Sequence, residues 1–176
     1  MTNCKFLYFL IIIISITSCK KSDFTKNNDK AITLDTIYKN DQAAIRSIGE
    51  TLTPDASKKV KDWLEYQQLD ELLTNFYSIS NNEALNLSKE LSITTQQLKD
   101  SIKIDRFKES DISIRINVLH NNALRLNDMA SISSINPTEV KDEIQKILDA
   151  FSALNAKVNN ITNQEKLEAE VKTIEF

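Results

Sequence analysis

A single imidazole, His120, would have to serve any serine–histidine or histidine–metal chemistry in this chain. Its neighbours Leu119, Asn121 and Asn122 include no glycine-flanked serine of the kind that presents a nucleophile on a sharp turn. Three residues before it stands Asn117, where a helical di-iron site requires Glu. His120 therefore reads as a boundary residue of a helix. A phosphate-cradling loop needs several glycines so that the backbone can approach the phosphates. Gly49 is the only glycine, which excludes the common nucleotide sites. Carboxylates can carry hydrolysis in pairs, but such a pair is defined by its separation in space, which sequence does not supply. Glu165, Glu168, Glu170 and Glu175, interleaved with Lys166 and Lys172, read as a solvated helical face with some ion pairing along it. No catalytic residue, metal ligand or cofactor is expected from these side chains.

The remaining reactive groups are the thiols of Cys4 and Cys19, both near the N-terminus. Lys5 is followed by the uncharged run Phe6–Ile16, roughly the length of the apolar region of an export signal. A membrane-spanning helix needs about 20 apolar residues, so this run is short for a span. Ile16-Thr17-Ser18-Cys19 comes next: a large aliphatic residue, two small ones and a cysteine. This resembles the lipobox of bacterial lipoprotein precursors. The resemblance implies that residues 1–18 are a signal peptide, that cleavage falls between Ser18 and Cys19, and that the Cys19 thiol carries diacylglycerol. Each buried methylene of such an anchor contributes about 0.8 kcal/mol, and two or three chains give stable attachment. Lys20 is not the aspartate that retains lipoproteins at the inner membrane in the best-known sorting scheme, so the outer membrane is the expected location. Cys19-Lys20-Lys21-Ser22-Asp23 is also similar to a diluted form of the lysine-then-acid signal of surface lipoproteins in Bacteroidota, with Ser22 where an acid is expected. Periplasmic and surface faces both stay open. Asp35-Thr36-Ile37 and Asp100-Ser101-Ile102 resemble the acid–hydroxyl–aliphatic O-glycosylation site of that phylum's envelope proteins; Thr36, near the tether, is the better candidate.

With residues 1–18 removed and Cys19 lipidated, no thiol is left for a disulfide, a zinc site or nucleophilic catalysis. Removing those residues from the 176 leaves 158, enough for one domain and a tether. The formal charge of −3 becomes −4, because Lys5 is the only charge lost. That balance offers no basic footprint for nucleic acid. One glycine and two prolines suit helices far better than a turn-rich β-sandwich or barrel.

The elements follow from spacing. Residues 19–53 read as a polar, lipidated tether, with Ile37, Tyr38, Ala43, Ala44, Ile45 and Ile48 suggesting a short helix before Gly49. Thr53-Pro54 and Asn136-Pro137 each set a capping side chain before a proline, which starts a helix because its missing donor would go unused in the first turn. Glu139 completes a capping box with Asn136. A first long helix is expected from Pro54 to about Ile79, and a second from the turn Ser80-Asn81-Asn82 to about Ser101 or Ile102. A connection over 103–109 leads to a third helix, capped by Ser110 or Asp111, running to Ala130. Ile112–Val118 alternates like a strand, but the four-three spacing carried on to Ala130 favours helix. The fourth helix carries Val140, Ile144, Ile147, Phe151, Leu154, Val158 and Ile161. Leu148 and Ala150 widen that stripe into a core face rather than a coiled-coil seam. Asn159-Asn160 and Thr162-Asn163 suggest a kink or break before Leu167, Val171 and Ile174 resume in a shifted phase.

The expectation is an all-α protein: an antiparallel bundle of about four helices over 54–176. In general character the chain resembles small all-helical lipoproteins of Bacteroidota, a resemblance that carries no active site. The leading expectation is a membrane-anchored, non-enzymatic binding or structural module with an envelope protein partner. The alternative is a carboxylate-dependent hydrolase acting on envelope polymers, which a cleft holding two acids, one with a raised pKa, would favour. Tyr66 and Tyr77 are candidate surface aromatics, with core or boundary roles the stronger expectation.

Overall fold

The computed structural model describes residues 42–108 and 111–174. The chain divides into two units at Leu34–Asp35, and every described residue belongs to the second. The expectations for the signal peptide, the lipobox Ile16–Cys19, cleavage after Ser18 and modification of Thr36 lie outside the described residues.

The protein is all-α. Six helices span the described residues: α1 (Pro54–Val60), α2 (Leu64–Phe76), α3 (Asn81–Asp100), α4 (Asp105–Lys108), α5 (Ile112–Met129) and α6 (Pro137–Ile174). Thr53 caps α1, its Oγ1 accepting Ala56 N–H at 3.3 Å, with Pro54 in the first turn. Asn136 Oδ1 accepts Thr138 N–H at 2.9 Å at the start of α6. A full reciprocal capping box opens α3, where Ser80 Oγ accepts Glu83 N–H and Glu83 Oε2 accepts Ser80 N–H. Asp111, expected as a capping side chain, makes no cap bond and instead pairs with Lys157 at 3.1 Å.

The single helix expected from Pro54 to Ile79 is two helices. Trp63 leaves helical geometry at φ −94°, ψ 84°, and its N–H closes a tight bond to Val60 O at 3.0 Å. The indole is buried against Tyr66 and Phe107, and its Nε1–H donates to Ser101 Oγ at 2.8 Å. A buried, fully satisfied indole stabilises the bend more than a continued helix ladder would.

Bonds between helices fix the bundle's direction. Ser88 meets Asn127 and Thr95 meets His120 across α3 and α5, so as one number rises the other falls. The same holds across α5 and α6 for Asp111 with Lys157, Asn122 with Lys146 and Arg125 with Glu143. Tyr66 on α2 meets Asn155, while Asn81, beyond the α2–α3 turn, bonds Pro137 O at 3.0 Å. Helices α2, α3, α5 and α6 therefore run alternately up and down around one core. The whole expected stripe of α6, from Val140 to Ile161, is buried together with Leu148 and Ala150. Residues 112–118 are helical.

α6 runs unbroken through Asn159 and Asn163, so the break expected there as one of two alternatives is absent. Asn and Thr weaken a helix when their side chains compete for the backbone. Asn159 is occupied elsewhere: its Nδ2 donates to Thr51 O at 2.8 Å and its Oδ1 accepts Thr53 N–H at 2.9 Å. Thr162 donates back to Val158 O without interrupting the ladder.

Residues 42–53 hold no helix, against the sequence expectation for that stretch. They form an extended strap laid along α6, contact moving from Ser152 to Asn159 as the strap advances from Glu50 to Thr53. Arg46 explains why. Its backbone N–H donates to Tyr77 O at 2.8 Å and its guanidinium to Phe76 O at 3.0 Å and Ile79 O at 3.2 Å. The Phe76 and Tyr77 carbonyls stand at the C-terminal end of α2, where they lack helical partners and carry the negative end of the helix dipole. A helix over 42–48 would remove the guanidinium from that position. At Gly49 the strap comes so close to α6 that a Cβ would stand 2.7 Å from Ser152 Cβ. Its φ is not positive, so the glycine serves close approach alone.

Candidate functional site

The strap, α1, α2 and α6 enclose a half-open cleft of about 550 Å³. Tyr66, Gln67, Asp70, Thr74 and Tyr77 project into it from α2, Phe151 and Asn155 from α6, and Ile48 to Leu52 close the side formed by the strap. The floor is built first. Tyr66 is 1% exposed, stacks on Phe151 at 5.8 Å between ring centres, and donates its hydroxyl to Asn155 Oδ1 at 2.6 Å. Asn155 Nδ2 then donates to Glu50 O at 3.0 Å, which ties the floor to the strap. Gln67 Nε2 donates to Val60 O at 3.1 Å, bridging the break between α1 and α2.

The acids of the cleft are placed differently. Glu50 Oε1 accepts Asn159 Nδ2 at 3.1 Å and so helps hold the strap. Asp70 stands at the mouth, exposed on its outer side, yet the protein around it holds its carboxyl above the ordinary carboxylate range. Burial also pushes the Tyr66 and Tyr77 phenols up, and the Asp70 charge adds to both shifts. At Tyr77 the backbone N–H of Gly49 opposes that rise.

No protein-family model, curated protein or solved structure matches this chain.

His120 lies elsewhere, buried between α3 and α5. Its Nδ1 is 3.0 Å from Thr95 Oγ1, whose own proton has the carbonyls of Leu91 and Ser92 to choose from. An Nδ1–H therefore finds an acceptor on the threonine. Burial, with Lys99, holds the imidazole below its usual pKa, while Asp100 and the Ser92 backbone pull the other way. Ser101 of the Asp100-Ser101-Ile102 pattern is engaged with the Trp63 indole and Leu98 O. The acidic face of α6 is partly paired, Glu165 with Lys59 and Glu168 with Arg106. Among the described residues, no group of three or more His, Cys, Asp or Glu side chains is placed to hold a metal ion. No helix among them is long and apolar enough to cross a membrane.

Sequence reasoning missed Arg46, Asp70, Glu143 and Asn155. Asn155 had a signal: it sits on the buried stripe of α6 between Leu154 and Val158, where a polar residue needs a partner. Glu143 had the same one, beside Ile144. It is 0% exposed and lies between Lys146 at 3.1 Å and Arg125 at 3.4 Å. Arg46 and Asp70 had none, because their roles come from packing between segments distant in sequence.

Proposed function

We propose that this chain is a lipid-anchored lipoprotein of the bacterial cell envelope, held at the outer membrane through Cys19, whose bundle is a binding module rather than an enzyme. The cleft is its working surface, and an envelope component is its partner. The anchor reading rests on the sequence Ile16-Thr17-Ser18-Cys19. The observation that carries the binding reading is the commitment of the cleft's polar groups: Tyr66, Gln67, Asn155 and Glu50 are all spent on holding the walls together. Hydrolysis by paired carboxylates needs a second free acid or base opposite the first, and Glu50 is engaged by Asn159.

Two experiments test this. Replacing Cys19 with Ala abolishes incorporation of labelled palmitate and membrane fractionation; a variant that keeps both overturns the anchor. A photo-crosslinking residue at the exposed cleft position Thr74 captures an envelope component in intact cells, while one at Asp142 on α6 does not. Equal capture from both positions removes the cleft from the proposal.

The raised pKa of Asp70, with Glu50 on the facing wall, favours a second reading, a carboxylate-dependent hydrolase acting on envelope polymers. That reading requires the purified chain to turn over a glycan or peptide and Asp70→Asn to abolish the turnover.

A further inference from the structure

Three charged residues line the cleft. Glu50 takes the Asn159 amide at 3.1 Å, and Lys61 lies 3.9 Å from Asp62 on the outer surface. Asp70 has neither a cation nor a hydrogen-bond donor on its carboxylate among the described residues; packing is the only influence the protein exerts on its charge. A partly enclosed carboxylate without a partner loses hydration and gains nothing from the fold in return. Its surroundings select what would complete it. Half-buried Tyr77 presents an aromatic ring nearby, and Leu52, Val60 and Phe151 supply apolar wall. A cation beside a carboxylate and an aromatic ring is attracted by both. A divalent metal would need more oxygen ligands than one free carboxylate supplies. An anion would be repelled by Asp70. The volume falls within the range of small-molecule sites.

Resting on the reading of the cleft as a binding site, we infer that its ligand carries an ammonium group on a compact apolar body. The nitrogen sits on the Asp70 carboxylate and the body lies against Leu52 and Tyr77.

The test is a matched pair of probes of one shape. The purified full-length chain is titrated with cyclohexylmethylamine and, separately, with cyclohexylmethanol, and the side-chain NMR signals of Asp70, Gln67 and Asn155 are followed. The amine saturates with shifts at these residues, and the alcohol binds about tenfold more weakly or worse. Asp70→Asn removes that preference without lowering the melting temperature, since the carboxylate supports no contact within the fold. An amine that leaves the cleft signals unmoved, or an Asp70→Asn chain that prefers the amine as before, overturns the inference. Equal binding of amine and alcohol in the cleft also overturns it, while leaving the cleft standing as a site. Crosslinking from Thr74 in cells is decided independently of these outcomes.

Discussion

On one side of the molecule, α5 meets α3 and α6 chiefly through apolar side chains, with Ile112, Ile116, Leu119, Ala123 and Leu126 all fully buried. On the other, the strap reaches the same α6 through Ser152, Asn155 and Asn159, mostly by bonds that join a strap backbone group to a polar side chain. The first interface grows with buried area and has no direction to lose. The second depends on a few bonds of fixed geometry, each contributing about 1 kcal/mol net, so it opens locally at little cost to the whole. The cleft lies on this second side. Its floor belongs to the bundle and one wall to the strap, so the candidate site is only as well ordered as the strap's docking.

Breaking the apolar side has the largest expected effect. Leu119→Ala leaves a cavity between α3, α5 and α6 and costs about 2–5 kcal/mol. For a chain of this size that lowers the thermal midpoint by roughly 5–15 °C. A calorimetric midpoint within 2 °C of the parent, on the order of the noise in such comparisons, would show that α5 is not central to the core.

The polar side gives way more cheaply. Gly49→Ala sets a Cβ against Ser152 on the α6 backbone, an overpacking worth about 1–3 kcal/mol that the strap relieves by lifting. Faster proteolysis within 42–53, with little change in the bundle's midpoint, is the expected result. A loss of the whole fold would show that strap and bundle unfold as one.

How each side could be read from the sequence follows the same division. The stripe from Val140 to Ile161 and the proline-led starts at Pro54 and Pro137 were legible, because periodicity and capping act within a few residues. The strand-like alternation of 112–118 has a simple origin: Ile114 and Val118 are 61% and 48% exposed, two surface aliphatics on a helix whose core residues are Ile112 and Ile116. The helix break at Trp63, the strap and the unbroken α6 were not legible. Each depends on a partner far along the chain: Ser101 for Trp63, the end of α2 for Arg46, and Thr51 for Asn159. The cleft was invisible for the same reason, since Asp70 carries no local pattern.

A smaller effect belongs to His120. Its folded pKa lies below the ordinary 6.5, so the unfolded chain takes up the proton first and acid favours unfolding. The stability this contributes is fully present above pH 6.5 and is lost as pH falls through the lower folded value. The thermal midpoint of the parent therefore declines over that interval more steeply than that of His120→Gln. Parallel curves would remove His120 from the pH response.

The most direct measurement is amide hydrogen exchange over residues 42–53 in the full chain, with and without Arg46→Ala. The parent protects the Arg46, Glu50 and Thr53 amides, which donate to Tyr77 O, Ser152 Oγ and Asn159 Oδ1. In Arg46→Ala that protection collapses while the α5 and α6 amides keep theirs. Unprotected strap amides in the parent, or strap and bundle losing protection together in the variant, would contradict the account of a separately held strap completing the cleft.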